Sequence, residues 1–207
     1  MKSNEWLILI PTSLEANRLG LTNDHSELNV EICGFGPIVS AAKTAKLIAE
    51  RHPHRILLLG IAGSYSDELE LGQAYQFERI RCHGVGVGTR NAFRSTAEIG
   101  WLQHESSPEI GNELTVAIHA DAGSIRSCLQ TVCAASANEA DVEFRCADSD
   151  AEDMESFGVA SAAALAGIPM HVIRGISNRA GDRDHNNWQI EAALNSAWQL
   201  ARKTIGI

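Results

Sequence analysis

Arg55-Ile56-Leu57-Leu58-Leu59-Gly60, running on into Ile61-Ala62-Gly63-Ser64, is the stretch that decides the fold. A short apolar run between a charged residue and a glycine predicts a buried strand, and the small residues after it predict a turn. Upstream, Trp6–Ile10 is a second apolar run, stopped by Pro11, and Asn29–Cys33 a third, broken by Gly34-Phe35-Gly36-Pro37. Beyond that break the period changes: Ile38, Ala41, Ala42, Ala45, Ile48 and Ala49 recur at helical spacing until Pro53. Downstream, Ala74–Ile80 and Leu114–Ile118 read as strands. Met154–Ala166 reads as a helix closed by Gly167 and Pro169, and Met170–Ile176 as a strand. Trp188–Ile205 reads as a helix with Leu194, Ala197, Trp198, Ala201 and Ile205 on one face, and Asn186 and Gln189 carry capping-box spacing at its start. Strands alternating with helices predict an α/β fold with a mixed, largely parallel central sheet flanked by helices. With no linker, repeat or low-complexity block, residues 1–207 read as one domain.

The segment Arg81–Asn112 resists assignment. It holds Gly84-Val85-Gly86-Val87-Gly88, Arg90 and Arg94, and a long insertion of this kind is often a functional loop.

Composition removes whole classes of function. The chain has 207 residues, 26 acidic against 17 basic, for a net charge of -9, and 44% of its residues are apolar. That length and apolar share support a sizeable core. The acidic balance and the lack of a basic run argue against nucleic acid and anionic membranes as partners. The apolar run after Met1-Lys2-Ser3-Asn4-Glu5 is too short for a signal peptide or a membrane span. The five cysteines include no C-x-x-C pair, which suits structural thiols in a reducing compartment, with the cytoplasm as the expected address. A small-molecule partner is what remains.

The glycine and histidine patterns carry little chemistry. Gly34-Phe35-Gly36 lacks the third glycine of a dinucleotide fingerprint and the Gly-Lys-Ser/Thr of a phosphate loop. The eight histidines show no metal-ligand spacing. Asp182-x-Asp184-x-Asn186 resembles the start of a calcium loop, but Asn187 and Ala193 stand where Gly and Glu are required. Neither a metal nor a cofactor is expected. Three polar residues are more informative. Glu15 follows the first strand, and Asn178 follows the strand Met170–Ile176. Glu155 lies at the start of a small-residue helix, where a buried carboxylate needs partners. Asp150 and Glu152 read as carboxylates that stabilise the same helix start. In open α/β sheets ligands collect at the carboxyl ends of strands.

Three groups of residues together resemble the nucleoside phosphorylase/nucleosidase superfamily. They are Pro11-Thr12-x-Leu14-Glu15-Ala16, Glu152-Asp153-Met154-Glu155, and Ile173-Arg174-Gly175-Ile176-Ser177-Asn178 continuing to Asn187-Trp188. Within the superfamily they are most similar to the futalosine hydrolases. The resemblance covers the whole length and is thin between Arg81 and Leu114. It implies a single-domain three-layer fold like that of purine nucleoside phosphorylase, and cleavage of a purine N-glycosidic bond through an oxocarbenium-like ribosyl cation. By the same resemblance, Glu15 activates the attacking water and Glu155 binds the ribose hydroxyls. Met154 packs on the sugar, and Ala62, Gly63, Ser177 and Trp188 line the substrate site. Asn178 stands where adenine-preferring nucleosidases carry Asp; an amide suits the 6-oxo group of hypoxanthine. Leu71-Gly72-Gln73-Ala74-Tyr75 lacks the arginine that phosphorylases bring to phosphate. With Glu15 repelling an anion from the same place, and Arg18 offsetting this in part, hydrolysis is expected. The substrate's carboxylate needs a cation, for which Arg90, Arg94 and Arg183 are the candidates. Readings in reserve are a nucleosidase for methylthioadenosine or aminofutalosine, or an inactive nucleoside-binding relative. The resemblance also implies a homodimer or larger homo-oligomer, with Arg81–Asn112 as a loop lent to the neighbour, a lid or a surface.

Overall fold

The computed structural model describes residues 5–21, 28–120 and 123–207. Met1–Asn4, part of the segment read above against a leader, lie outside them. In chain order the elements are β1 (Trp6–Ile10), α1 (Ser13–Arg18), β2 (Val30–Ile32), α2 (Pro37–Arg51), β3 (Arg55–Ser64), β4 (Ala74–Cys82), β5 (Gly86–Val87), β6 (Arg94–Ser95), β7 (Glu113–Thr115), β8 (Ile125–Thr131), α3 (Glu139–Arg145), β9 (Ala151–Asp153), α4 (Ser156–Leu165), β10 (Met170–Arg179) and α5 (Ile190–Ile205).

The apolar run that opens the sequence argument is the spine of the sheet: Ile56, Leu57, Leu58 and Leu59 are all fully buried. β3 pairs in parallel with β1 from Arg55 to Leu58, and in parallel with β10 from Ile56 to Ser64. Its last two residues pair antiparallel with β9. The strand order is β10-β4-β8-β9-β3-β1-β2, and β10 returns to β3. Five strands therefore close into a barrel, and β1 and β2 run out from it as a parallel extension. The parallel pairs β1–β2, β1–β3, β3–β10, β4–β8 and β8–β9 outweigh the antiparallel pairs β3–β9, β4–β10 and β4–β7, which makes the sheet mixed and largely parallel.

Helices cover both faces and make the fold three-layered. Leu58, Leu129, Val172 and Ile176 share one core with Leu47 of α2 and Phe157, Val159 and Ala163 of α4. Leu57, Leu59 and Ile173 share the other with Ala197, Leu200 and Ala201 of α5. Alternate residues of β3 feed opposite cores, as the period of a strand demands. α2 and α4 cross at Gly158, where a Cβ would stand 2.2 Å from the Pro37 carbonyl oxygen and 2.8 Å from Ser40 Oγ. The face of α2 turned inward is Ser40, Thr44 and Leu47. Ile38, Ala42, Ala45 and Ala49, part of the apolar repeat seen in the sequence, face outward.

Several expectations need correction. Ile61–Ser64 is no turn: β10 and β9 hold it extended, so β3 runs through to Ser64. The helix read from Met154 starts at Ser156, because Ala151–Asp153 pairs with β3 and β8 as a strand. Glu152 is thus a buried strand residue, and Asp150 accepts from the Cys128 amide, so neither stabilises a helix start. α5 begins at Ile190 with no side-chain cap from Gln189, and Asn186 lies in a short turn capped by Asp184. The unassigned segment contains a hairpin, β5 with β6. At Gly86 and Gly88 a Cβ would meet carbonyl oxygens of the opposite strand region at 2.1 and 2.2 Å, so those glycines serve close backbone approach. Leu114–Ile118 contributes only a short strand, prolonged by the bond from Val116 N to Glu78 O.

Candidate active site

The site grows out of a fork. On one side of β3, β1 stops at the level of Leu58 and β9 begins at the level of Gly63. Between them the edge of β3 is left open, and this gap opens into a cavity of about 310 Å³ with mostly apolar walls, a size and character typical of small-molecule sites. Glu15 fills the fork. It stands three residues after the N-cap Thr12 of α1 in a capping box, accepting from Thr12 N at 3.1 Å and Thr12 Oγ1 at 2.6 Å through Oε2. Its Oε1 accepts from the Ile61 amide at 3.1 Å, which supplies the partner that the forked strand lacks.

Arg174 faces Glu15 from β10 and is fully buried. Its Nε and Nη2 donate to Asp153 Oδ2 at 3.0 and 2.6 Å, and Nη2 reaches Glu155 Oε2 at 3.4 Å. Burial pulls its pKa down, but Asp153, Glu155 and Glu15 outweigh that and raise it. Asp153 is held in turn by Ser156 N, Ser156 Oγ and Thr131 Oγ1. Arg174 Nη1 has no hydrogen-bond partner among the described residues. It lies where only a glycine leaves room: a Cβ on Gly60 would be 2.2 Å from Nη1 and 2.8 Å from Glu15 Oε1.

Glu155 occupies the N-cap position of α4, yet its side chain does no capping. It turns back to accept from Gly36 N at 3.1 Å through Oε1. Burial raises its carboxyl from 4.5 to about 7, Arg174 pulls it back, and Asp153 pushes it up again. Ala62, Gly63 and Met154 line the same cavity. Ser177 Oγ lies 3.3 Å from the Ala62 carbonyl oxygen and 2.8 Å from Asn178 Oδ1, while Asn178 Nδ2 donates to Arg179 O at 2.8 Å. The amide is thereby oriented, and its second N–H has no hydrogen-bond partner among the described residues.

At the rim, Trp188 donates through Nε1 to Asp182 O at 3.1 Å. Arg183 lies over its ring at 5.0 Å from the centroid, and His185 packs beside it at 4.5 Å between centroids. All three line the cavity. Arg90 and Arg94 do not: the latter pairs with Glu98 at 3.6 Å, away from the site. Of the three candidate cations for a substrate carboxylate, the structure brings only Arg183 to the cavity. Arg18 is tied to Glu191 at 3.2 Å and is likewise absent from its walls.

Comparison with known proteins fits this arrangement. The phosphorylase superfamily matches residues 25–207. The chain belongs to the phosphorylase superfamily. A futalosine hydrolase of Streptomyces coelicolor is 30% identical over 168 residues, spanning 78% of this chain and 71% of the relative. Among solved structures, the native futalosine hydrolase of Helicobacter pylori superposes with a TM-score of 0.76 at 16% identity, covering 97% of both chains. A 5'-methylthioadenosine/S-adenosylhomocysteine nucleosidase of Colwellia psychrerythraea, in complex with adenine, gives 0.76 at 21% identity over 99% of this chain and 95% of that one. At these identities the two structures speak for the fold.

Within this phosphorylase-superfamily chain, the sequence reading left three site residues without a role. Arg174 sits inside a quoted motif, and a lone arginine in the otherwise apolar run Ile173–Ile176 was signal enough that a buried counterion had to exist. Asp153 is that counterion. His185 joins the rim only because the turn after β10 folds back over Trp188, which no spacing rule reveals.

Proposed function

We propose that the protein hydrolyses the N-glycosidic bond of futalosine, releasing hypoxanthine and dehypoxanthine futalosine, as a step of menaquinone synthesis by the alternative pathway. The observation that carries the reading is the convergence of Glu15, Glu155 and Asn178 on one cavity from the ends of β1, β9 and β10. The kinship with the Streptomyces coelicolor futalosine hydrolase supports the substrate.

The mechanism places the attacking water on Glu15, whose carboxylate lines the cavity, while Arg174 packs behind it, fully buried. Glu15 takes the water's proton as the oxygen attacks the anomeric carbon. The ribosyl–purine bond breaks first, and Glu155, hydrogen-bonded to the ribose hydroxyls, stabilises the cationic sugar. The electron pair leaves on the base, where the N–H of Asn178 hydrogen-bonds N7 or O6. The departing anion becomes hypoxanthine by taking up a proton from solvent, while Glu15 returns the one it took. Hydrolysis is favoured over phosphorolysis because Arg174 is already neutralised by Asp153 and Glu155, and Arg18 by Glu191. Met154 packs on the sugar, and Trp188 with Arg183 receives the carboxyphenyl arm. The five cysteines are free thiols, which is compatible with a cytoplasmic setting, and none of the described helices is long and apolar enough to cross a membrane.

We further infer a homodimer of one-domain subunits spanning residues 1–207. Ile38 is 80% exposed, Phe35 63%, Val39 56% and Leu14 54%; Leu14 and Phe35 also line the cavity, and a second copy would cover these exposed apolar side chains.

The test is to incubate the protein with futalosine, aminofutalosine, methylthioadenosine and inosine, with and without phosphate, and to identify the base released. Phosphate-independent hypoxanthine from futalosine is the expected result. Adenine from a 6-amino substrate alone, or release that requires phosphate, would overturn the reading.

A further inference from the structure

Glu152 is a buried carboxylate in the cavity wall to which neither the hydrolytic step nor ribose binding gives a task. Strand register places it opposite Gly63 on β9, and Asn178 opposite the same Gly63 on β10. The three residues form one row across the sheet, and residues in register point to the same face. Gly63, in the middle, contributes no side chain. The row therefore has a polar group at each end, and beside its centre stand the Ala180 backbone and Asn178 Nδ2, 3.4–3.5 Å from where a Cβ of Gly63 would lie. The two end residues are two interstrand steps apart along the backbone, about 9.5 Å at about 4.7–4.9 Å per step, and Asn178 Nδ2 reaches back toward Gly63. Glu152, Gly63 and Asn178 all line the same cavity, so a flat heterocycle in it can meet both polar groups.

The chemistry of the two ends is opposite. Asn178 offers an N–H, as described above. Glu152 is an acceptor only, and its neighbours fix it as one. Oε1 accepts from Ser136 N at 2.7 Å, and Oε2 accepts from Ser136 Oγ at 2.7 Å and Tyr65 OH at 2.9 Å. Gln130 Nε2 donates to the Tyr65 oxygen at 3.2 Å, and Arg145 Nη1 to the Ser136 oxygen at 3.3 Å, so both hydroxyl protons are committed to Glu152. A carboxylate has about four acceptor positions. Among the described residues three are filled, and the one without a partner belongs to Oε1, on a residue that lines the cavity.

A 6-oxopurine carries a proton on N1; a 6-aminopurine presents a bare lone pair there. We infer that Glu152 reads the base, accepting the N1–H of a 6-oxopurine while Asn178 donates to its N7/O6 edge, and that it repels a 6-aminopurine through the two facing lone pairs. The inference rests on the reading of the cavity as a purine nucleoside site and adds the residue that sets which purine. It also gives the buried network Tyr65–Gln130–Ser136–Arg145 a purpose, which is to hold the acceptor rigid.

The experiment is equilibrium binding of hypoxanthine, 1-methylhypoxanthine and adenine to the wild-type protein and to Glu152→Gln, by calorimetry. Wild type is expected to prefer hypoxanthine over adenine and to lose about 10- to 100-fold in affinity on N1 methylation, the scale of one hydrogen bond to a charged group. Glu152→Gln should cut the preference for hypoxanthine over adenine by about tenfold or more. Equal weakening of both bases in the variant would overturn the inference and leave Glu152 as a brace for the loop at Ser136. Undiminished binding of 1-methylhypoxanthine to wild type would overturn it even if the variant failed to fold. A wild-type protein that bound neither base, or preferred adenine, would instead fail the parent reading of a hypoxanthine-releasing site, and the inference with it.

Discussion

Arg174 Nη1 and Glu15 Oε1 lie on either side of the space above Gly60, 2.2 and 2.8 Å from where a Cβ would stand. A cation and a carboxylate are thereby packed onto Gly60, in room that any side chain there would take.

Gly60→Ala should therefore be far more damaging than an alanine usually is. The methyl group overlaps both groups, forcing a shift of backbone or side chains that costs about 1–3 kcal/mol in a packed interior. Thermal melting should register a loss of several degrees. Turnover should fall at least about 100-fold, since a misplacement of about 1 Å is enough for that. An active, fully stable Gly60→Ala protein would show that the packing of Arg174 and Glu15 on Gly60 does not position the site.

Glu15→Gln should separate chemistry from binding. The amide oxygen can keep the Ile61 bond, although its NH2 then meets Thr12 N, at a cost of about 1–3 kcal/mol. If Glu15 is the general base, as proposed, kcat should drop by about 10²–10⁴. Hypoxanthine affinity should stay within a few-fold of wild type. Turnover that survived the substitution would remove Glu15 from the water-activating role.

Glu155 makes activity and stability respond to pH in opposite senses. Its carboxyl sits near 7 in the folded protein against an ordinary 4.5. Between those values the folded state holds a proton that the unfolded chain has released, so this residue's contribution to stability is largest below about 4.5 and fades as pH rises through about 7. The ionised form is the better acceptor for ribose hydroxyls, so kcat/KM should rise across the upper part of the same window. Urea titrations and rate profiles of wild type and Glu155→Gln should both lose this dependence in the variant. A variant whose stability tracked wild type at every pH would contradict the shift.

Arg183→Ala should raise KM for futalosine by at most about fivefold, the range of an exposed ion pair, with kcat nearly unchanged and the effect shrinking in high salt. Arg90→Ala and Arg94→Ala should leave KM alone. Inosine, which has no carboxylate, should not distinguish Arg183→Ala from wild type. Equal effects of all three substitutions would return the question to general surface charge.

Ile38→Lys should test the patch beside the cavity. A charge at the centre of a self-associating apolar surface opposes its own copy across the symmetry axis. Light scattering should report a dimer for wild type and a shift toward monomer for the variant. Two monomeric samples would remove the dimer.

The parts of this fold that were legible in the sequence are those where burial and polarity run together. β3 and β10 read clearly because they carry long apolar runs, and Glu15, Glu155 and Asn178 stood out as polar residues against that background. β8 did not, because its buried end includes Gln130 and Thr131, which satisfy their polarity on Tyr65, Arg145 and Asp153. No hydrophobic period can register a strand buried through hydrogen bonds. β9 failed for another reason: three residues carry no period, and Ala151–Asp153 is a strand only because β3 and β8 flank it. Closure of the barrel rests on these two strands, so it was hidden with them. Glu152 was misplaced for the same cause, as a helix-start carboxylate where a strand residue stands.

The fork in β3 ties ancestry to chemistry. Because Glu15 is the partner of the Ile61 amide, the carboxylate proposed to activate water is also a piece of the main-chain bonding. A descendant of this chain that abandoned catalysis could not drift freely at position 15; it would still need an acceptor there. Gln or Asp at that position would be the expected scar of a lost enzyme, and an aliphatic residue would require the fork itself to be rebuilt.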